Sequence, residues 1–539
     1  MNRMVWYGLL ALVVCASCNG NITTGSSSGR DTLSGTISGF ISDSDAVAGA
    51  SYTGSLYTPS SFVSDSTTFG TTLAYDLSSD TVSSDALTGN TSVTLKGTTS
   101  SSVTIDNGGH DLLLTLNGVS ISNKLTIKGK GTTFVVLEGT NALTASTKPL
   151  NSVGDLVVQG AGSLSVTTDK NGITSDDVIC IQSGTIAVTV TTAGTDKGTC
   201  IKPVNGFIMN GGTVTLNGNN ATEGCESKGI KVDGTDDATA TFTGGGLGYV
   251  IINGGALTVT TQGKAISAGW DVDDDATTTD TSDDPSPDLI VNGGLITITT
   301  KASPREDVTD QSGNVTSEGV SPEGLEAKNN LTINGGKIVV NSTDDAINAG
   351  NTLTINGGLI FAYGSANDGV DAGAEENEGY LVINGGTVVA LGSSAPETGL
   401  DSNGDSRFTY TGGTVIGLGG ASNNVPGNSA SASGKYYVTS SGTFSSAASI
   451  AVVDSSNALL CAFAPPSGYS GSSLFFASSS LTSSCAVGTG ATVSSSENTF
   501  EGLSFGSVAT SGGSWSDKSA VSAGTSSSGG GGGSGGGGR

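Results

Sequence analysis

The sequence predicts an all-β protein in which short strands stack as the coils of a parallel β-helix. Three observations favour this fold class: a unit of about 22 residues repeats in register, glycine accounts for 84 of the 539 residues, and no stretch follows the apolar period of an α-helix. A single coil of this size cannot bury its own apolar side chains. Several coils must therefore stack to form a common core.

The repeat is clearest in residues 321–360. There SPEGLEAKNNLTINGGKIVV is followed by NSTDDAINAGNTLTINGGLI, so that Leu325 aligns with Ile347 and Asn334 with Asn356. Each unit contains an aliphatic residue, a polar residue, a short strand, the turn NGG and an alternating strand. The alternative is an antiparallel sandwich or a propeller, in which NG and GG would mark hairpins. The aliphatic position recurs at Ile173, Ile201, Ile230, Ile266, Leu325, Ile347, Val370 and Leu400, and the turn begins at Asn210, Asn253, Asn292, Asn334, Asn356 and Asn384.

The composition divides the chain into six predicted regions. Insertions at 271–288, 301–321 and 373–379 lengthen three repeats, and such insertions are expected to form loops on one face. The predicted regions are a signal peptide (1–17), a flexible tether (18–33), an N-terminal β or cap region (34–90), the parallel β-helix (91–420), a β-rich C-terminal extension (421–506) and a disordered Ser/Gly tail (507–539).

The first residues have the features of an export signal. Arg3 precedes an apolar run from Met4 to Val14 that is too short to span a bilayer. Small residues precede Cys18 in a pattern similar to the bacterial lipobox, although a cysteine stands where leucine is usual. We therefore expect a lipid anchor at Cys18, a membrane-anchored monomer, and a location at the cell surface or outer membrane. Secretion after ordinary cleavage is the alternative.

Five cysteines remain beyond the signal peptide once the lipidated Cys18 is set aside. In an oxidising compartment we expect a disulfide between Cys461 and Cys485, both of which lie in the C-terminal extension. One further pair is expected among Cys180, Cys200 and Cys225, with its connectivity open. These five cysteines form no CxxC motif and the sequence has a single histidine, which disfavours a metal or nucleophile role for these thiols.

The charge balance narrows the class of ligand. The chain has 21 Lys and Arg against 48 Asp and Glu, a net charge of −27. Nucleic-acid affinity depends on basic residues that displace counterions, so nucleic acid is excluded as an expected partner. Bound cations, neutral ligands and metal-bridged anionic ligands fit this surface.

Acidic residues recur beside the aliphatic position in four successive repeats. Aligned like charges on neighbouring strands repel and require a counter-charge, and only Lys328 is close in sequence. Calcium binds oxygen ligands at about 2.4 Å, so oxygens on opposite sides of one ion lie about 5 Å apart, close to the spacing of stacked strands. We therefore expect Ca²⁺ here; acids that merely face solvent are the alternative. The candidate ligands are Glu323, Glu326, Asp345, Asn348, Asp368, Asp371, Glu397 and Asp401.

A second candidate for calcium is the acidic insertion that follows Trp270. Asp271, Asp273 and Asp275 alternate on one side of an extended chain, but the loop lacks the glycine and the terminal glutamate of an EF-hand. A solvated loop explains these residues equally well.

Three stretches together resemble a known family. The runs DLLLTLNGVSI at 111–121 and GAGSLSV at 160–166, followed by repeated INGG units, resemble the carbohydrate-binding parallel β-helix proteins of cellulolytic and gut bacteria. The resemblance covers roughly residues 90–420. It implies a right-handed, single-stranded, pectate-lyase-like solenoid that binds calcium and cellulose or pectic polysaccharides.

Aromatic residues are the usual platforms for sugar rings, but they make up only 5% of this chain. Trp270, beside the acidic insertion, is the first candidate, and Tyr363 and Tyr380 are the others. Core or turn packing is the alternative role for each of them.

These observations favour a noncatalytic, calcium-dependent polysaccharide-binding protein of the cell exterior. Its expected ligands are plant cell-wall glycans such as pectate and cellulose. A calcium-dependent polysaccharide lyase of the same fold is the first alternative, because Lys202 and Lys231 follow the aliphatic position and could supply the base. Surface lysines that pair with acids explain these two residues as well. A structural adhesin or spacer is the second alternative.

Overall fold

All regular secondary structure in the described part of the chain is β-strand. Among the described residues, no helix has the length and apolar character needed to cross a membrane. The computed structural model describes residues 32–37, 69–191, 198–218, 226–233, 248–269, 287–311, 315–317, 319–373, 379–402, 407–420, 435–495, 499–504, 506–519 and 521–522.

One parallel sheet of eleven strands contains the predicted aliphatic positions, and we name it the aliphatic ladder. Leu325 pairs with Ile266 on one side and with Ile347 on the other, and Ile347 pairs with Val370. The predicted stacking of these residues is therefore confirmed. The strands are Val103–Asp106, Leu125–Lys128, Leu150–Ser152, Ile173–Ser175, Thr199–Pro203, Lys228–Val232, Ile266–Ala268, Leu325–Ala327, Ile347–Ala349, Val370–Ala372 and Leu400–Asp401.

The strands that precede the NGG turns form a second parallel ladder, the pre-turn ladder. Each strand pairs in parallel with its counterpart in the next repeat, as Leu331 does with Leu353. The strands are Thr133–Glu138, Leu156–Gly160, Val178–Ile181, Gly206–Met209, Tyr249–Ile252, Leu289–Val291, Leu331–Ile333, Thr352–Ile355, Tyr380–Ile383 and Phe408–Tyr410.

The strands that follow the turns form a third parallel ladder, the post-turn ladder. Parallel pairing cannot arise from two-residue hairpins, so the sandwich and propeller alternatives are wrong. Three long parallel ladders are consistent with a β-solenoid. The strands are Thr140–Ala145, Ser163–Thr168, Thr185–Val190, Thr213–Gly218, Ala256–Thr261, Leu295–Thr300, Lys337–Ser342, Leu359–Gly364, Thr387–Leu391 and Thr414–Gly419.

The parallel stack begins earlier than the predicted boundary at residue 91. Thr71–Asp76 pairs in parallel with Thr91–Thr99, which pairs in parallel with Leu112–Ile121. The last of these strands contacts both the pre-turn and the post-turn ladder and so joins them. The first strand has no preceding aliphatic marker and no NGG turn, which is why the repeat pattern did not reveal it.

The NGG motif has two separate physical functions. Its asparagine side chains form a continuous amide ladder, in which Asn334 donates to Asn292 at 2.7 Å and accepts from Asn356 at 2.8 Å. Its second glycine adopts a positive φ, +95° at Gly336, and a Cβ there would lie 2.9 Å from the carbonyl oxygen of Gly294. Glycine is therefore required at this corner, because other residues disfavour this conformation and the preceding coil leaves no space.

The core lies between the three ladders. In the post-turn strand Lys337–Ser342, Ile338 and Val340 point inward and are fully buried, as the two-residue period of a strand requires. Val339 points outward, yet it is also buried. The C-terminal residues pack over the outer face of this part of the sheet, where Val339 and Phe361 lie.

The C-terminal residues form antiparallel strands. Ser470–Ser478 pairs with Thr414–Gly419 and with Tyr436–Ser445, which also pairs with Val521–Ser522. The remaining strands are Ile450–Asp454, Leu459–Phe463, Ser484–Thr489, Thr499–Phe500, Leu503–Ser504 and Ser514–Ser519 in one sheet, and Thr32–Ile37, Thr492–Ser495 and Gly506–Ser511 in another.

Two predicted boundaries near the termini are wrong. Strands Gly506–Ser511 and Ser514–Ser519 lie in the segment predicted as a disordered tail, and Thr32–Ile37 begins in the predicted tether. Backbone pairing does not depend on apolar composition, and Trp515 packs against the C-terminal core despite its serine-rich surroundings. Composition alone therefore placed both boundaries incorrectly.

The predicted Cys461–Cys485 disulfide is also wrong, because both thiols are unpaired and buried. Cys461 pairs with Val452 and Cys485 with Asp454, so the two cysteines lie on opposite sides of the strand Ile450–Asp454. Two strand spacings are about 10 Å, beyond the reach of a disulfide. Cys180 and Cys200 are likewise unpaired and buried.

The insertion before Leu325 forms a projecting arm, defined as the described residues of 301–321. Val308–Thr309 and Val315–Ser317 pair in antiparallel fashion, and Arg305 bridges Val320. This arm stands beside the aliphatic ladder and forms one wall of the site described next.

Candidate functional site

Two columns of polar residues accompany the aliphatic ladder. In the first column, Glu326, Asn348, Asp371 and Asp401 pair in register from one strand to the next. Each of these residues directly follows a stacked aliphatic residue, as predicted.

The second column lies two residues before each aliphatic position. The amide of Gly324 donates to the carbonyl of Asp345, and the amide of Ala346 donates to that of Asp368, so the segments of Glu323, Asp345 and Asp368 are neighbours. Glu397 does not continue this column. The amide of Gly369 bonds to Thr398, which therefore takes the aligned position, and Glu397 lies one residue away.

Lysines neutralise the upstream part of the acidic columns. Lys264 contacts Glu323 and lies 2.7 Å from Glu326, and Lys328 lies 2.5 Å from Glu326. Burial alone would raise the pKa of Glu326, but the charges of Lys264 and Lys328 outweigh burial and lower it. Burial, together with the charge of Glu326, raises the pKa of Glu323 to about 7.

The two lyase-base candidates lie in a similar ion pair one step upstream. Lys202 is 2.7 Å and Lys231 is 2.5 Å from the buried carboxylate of Asp233. Burial alone would raise the pKa of Asp233, but Lys231 and Lys202 lower it. Both lysines are therefore held in ion pairs, as the alternative to a base role predicts.

In the downstream part of the columns, several negatively charged carboxylates lie close together. One oxygen from each of Asp368, Asp371 and Asp401, which we name the aspartate cluster, lies within 4.8 Å of the other two. Burial and the charges of Asp401 and Glu397 raise the pKa of Asp368 to about 8. Burial and the charges of Asp368 and Asp401 hold the pKa of Asp371 well above its usual range.

Asp345 extends this group of acids toward the arm. Its pKa is raised well above the usual range by burial and by the charges of Asp371 and Asp368. Its carboxylate accepts hydrogen bonds from the amide of Asp368 at 2.9 Å and from the side chain of Asn348 at 3.3 Å. The neighbouring charges named for these acids are of the same sign, so the group favours either protons or a cation.

A cleft of about 1000 Å³ lies between the arm and the columns. Asp344 and Asp345 line it at the end next to the aspartate cluster, and Lys264 and Glu323 line it nearer the arm. Arg305 of the arm forms a 2.7 Å ion pair with Glu226, which connects the arm to an earlier coil. Glu397 also lines the cleft, so this residue belongs to the cleft wall and not to the stacked column.

Tyr363 and Tyr380, two of the predicted sugar-binding aromatics, lie away from this cleft. Tyr363 is partly buried, and its ring meets that of Tyr469 edge-on at 5.8 Å, so it contributes to packing of the C-terminal region. Tyr380 is 49% exposed, and Arg407 lies 5.6 Å from its ring centroid. Neither lines the cleft.

Several predicted residues lie outside the described part of the chain. They are Cys18, Cys225, Trp270, Asp271, Asp273 and Asp275.

One family of proteins matches this chain. The family is described as carbohydrate-binding domain-containing protein, and its model covers residues 78–369, more than half of the sequence. The chain belongs to this family. A search of curated proteins and a search of solved structures each found no match. The matched residues include Lys264, the other cleft-lining residues except Glu397, and most of the two columns. They end immediately before Val370, whose strand carries Asp371.

Sequence reasoning missed three features of this family member. Lys264 is 59 residues from Glu323 in sequence, and only the long insertion between Ile266 and Leu325 hides their adjacency. Asp344 lies next to a predicted ligand, but it falls outside the repeated position. The arm was identified only as an insertion, whereas the structure shows that Val308–Thr309 and Val315–Ser317 pair within it.

Proposed function

We propose that this protein is an extracellular, calcium-dependent, noncatalytic polysaccharide-binding protein. Its ligands would be plant cell-wall glycans such as pectate or cellulose, held in the cleft between the arm and the acidic columns. The observation that carries the proposal is that every lining residue of this cleft except Glu397 lies within the region matched by a carbohydrate-binding family. We further propose that the three ladders follow the right-handed, pectate-lyase-like path that the sequence resemblance implies.

The aspartate cluster is the proposed calcium site. Carboxylate oxygens are the ligands that calcium prefers, and the 4.8 Å limit among them matches the separation of two oxygens across one ion. Asp368, Asp371 and Asp401 would hold the ion, with Asp345 beside them. A bound ion would offset the repulsion that raises the pKa values of these acids.

The cleft is suited to a polar chain. Asp344, Asn367 and Ser365 line it with hydrogen-bonding groups, and Asn367 donates to Asp344 at 2.9 Å, which fixes both side chains. Calcium held by Asp368, Asp371 and Asp401 would supply a positive charge that carboxylates of a uronate chain could share. The side chains of the protein that line the cleft would position the glycan by hydrogen bonds to its hydroxyl groups.

The ion pairs favour binding over the lyase alternative. A lyase base must be able to lose its proton, yet Lys202 and Lys231 are bound to Asp233 and do not line the cleft. Lys264 does line the cleft. Burial alone would lower its pKa, but Glu323 and Glu326 raise it, so it remains protonated at neutral pH.

The proposed location rests on the export signal that the sequence predicts. Lipidation of Cys18 would tether the protein to a membrane and leave the stacked domain outside the cell. Mass spectrometry of the mature N-terminus tests this part separately, and an unmodified mature chain that begins after residue 18 would contradict it.

Affinity electrophoresis tests the proposed function. The wild-type protein should be retarded by polygalacturonate or a soluble cellulose derivative, and a chelator should remove the retardation. D371N should lose it, whereas D169N, a matched change at an exposed acid on another coil, should not. Absence of retardation with every glycan would refute binding, and release of unsaturated uronides would favour the lyase.

A further inference from the structure

We infer that Lys264 occupies the place of a metal ion in the acidic columns and, with Lys328, confines divalent ions to the downstream aspartate cluster. The inference rests on the proposed function for the cluster itself. Beyond that function, Lys264 and Lys328 set where along the stack an ion can bind.

The surroundings of the Lys264 ammonium are those of a bound cation. It contacts Glu323, lies 2.7 Å from Oε1 of Glu326 and lies 3.4 Å from the hydroxyl of Ser321. All three partners offer oxygen atoms, which are also the ligands of a hard divalent ion. The side chain reaches them from the coil before, across the width of one strand.

The remaining oxygens of these acids are also used. Ser267 donates to Oε2 of Glu326 at 2.7 Å, and Asn348 donates to Oε1 of Glu323 at 3.2 Å. The two glutamates are thus fixed by neutral donors on one side and by ammonium groups on the other. A buried carboxylate pair needs such a counter-charge, because leaving it unpaired costs several kcal/mol.

The binding of one acid by two lysines also occurs upstream in the stack, and the aspartate cluster takes its place downstream. Asp233 is bound by Lys202 and Lys231, and Glu326 is bound by Lys264 and Lys328. In the first column, the positions occupied by Lys202 and Lys231 become Asp371 and Asp401 further along. The counter-charge therefore changes along the stack from covalently attached ammonium groups to whatever cation the aspartate cluster binds.

An ammonium group and a divalent ion cannot share this pocket. Both would need the same oxygens of Glu323 and Glu326, and their like charges would repel at this distance. Lys328 also contacts Glu326, but its side chain is half exposed and can turn toward solvent when an ion binds. Removing the Lys264 ammonium while keeping both glutamates should therefore create a second site of the same oxygen chemistry one or two coils from the first.

Calcium counting by equilibrium dialysis and atomic absorption tests this inference. K264M should bind one more Ca²⁺ per chain than the wild type, and K264R, which keeps the charge, should bind the wild-type number. D371N should lose the native ion, and K264M with D371N should regain one. If the wild type binds no ion, the proposed function fails, yet K264M would still be expected to bind one.

If K264M is too unstable for ion counting, thermal melting with and without calcium tests the inference instead. Calcium should raise the Tm of K264M more than that of the wild type, and K264M/E323Q/E326Q, which lacks the unpaired carboxylates, should be folded and show no extra calcium response. An unchanged ion count in a folded K264M would overturn the inference. So would a K264M that stays unfolded in excess calcium while the triple variant folds.

Discussion

Removing calcium should destabilise this protein at pH 8 and have little effect at pH 5. The reason is the aspartate cluster, where burial and neighbouring charges raise the pKa of Asp368 from 3.8 to about 8. A carboxyl whose pKa is raised by folding contributes most stability below its unfolded pKa. That contribution is lost as the pH rises toward the folded pKa.

The size of the effect follows from the Asp368 value. Each pH unit between the unfolded and folded pKa costs about 1.4 kcal/mol of stability, so the range from pH 5 to pH 8 costs up to about 4 kcal/mol in the ion-free protein. For a large domain this lowers Tm by about 5–8 °C. Calcium at a hundred times its Kd would return about 2.7 kcal/mol.

Differential scanning calorimetry at the two pH values, with calcium or with chelator, measures this effect. D368N keeps the oxygen that accepts from the Thr398 amide at 2.5 Å but removes the titrating group. Its ion-free Tm should therefore fall less between pH 5 and pH 8, and calcium should change it little. Equal Tm with and without chelator at pH 8 would refute the reasoning, as would an unchanged pH slope in D368N.

Three further predictions concern other parts of the stack. Burial and the charge of Asp177 raise the pKa of Asp155 from 3.8 to about 7, so its stabilising contribution is lost as pH rises. D155N should stabilise the protein at pH 8 by up to about 4 kcal/mol and do little at pH 4, as measured by urea unfolding. N334A, in the buried part of the amide ladder, should cost about 1–3 kcal/mol, whereas N384A at the exposed end should cost less; equal losses would contradict the ladder's role. Cys461 and Cys485 should both be alkylated in denaturant without reductant, and a mass lower by two protons in the unreduced protein would show that they are bonded.

The stacked architecture was predictable because its physical cause repeats in the sequence. An aliphatic residue and an NGG turn nine residues apart are enough to place Leu325 on Ile347, since every coil must present the same groups to its neighbours. The same logic placed Glu326, Asn348 and Asp371 in one column. The amide ladder explains why asparagine precedes the two glycines, which the turn conformation alone does not require.

The charge balance within the columns was not predictable from the repeat. Lys264 and Glu323 are separated by an insertion, so their contact depends on the fold and not on spacing in the sequence. The displacement of Glu397 has a different origin and could be counted in the sequence, because Glu397 lies three residues before Leu400 whereas Asp368 lies two residues before Val370. The incorrect disulfide came from proximity in sequence, which does not reveal that a third strand lies between two others.

The antiparallel strand Ser470–Ser478 has a consequence for the growth of such stacks. It pairs with Thr414–Gly419, the last post-turn strand, and so occupies an edge that would otherwise offer unpaired amides and carbonyls to a second molecule. Its backbone pairing involves the last coil, and the C-terminal side chains cover only the last four post-turn strands, so the cap places no demand on how many coils precede these. Duplication or loss of a repeat could thus change the length of the molecule over evolution without exposing a template for fibre formation.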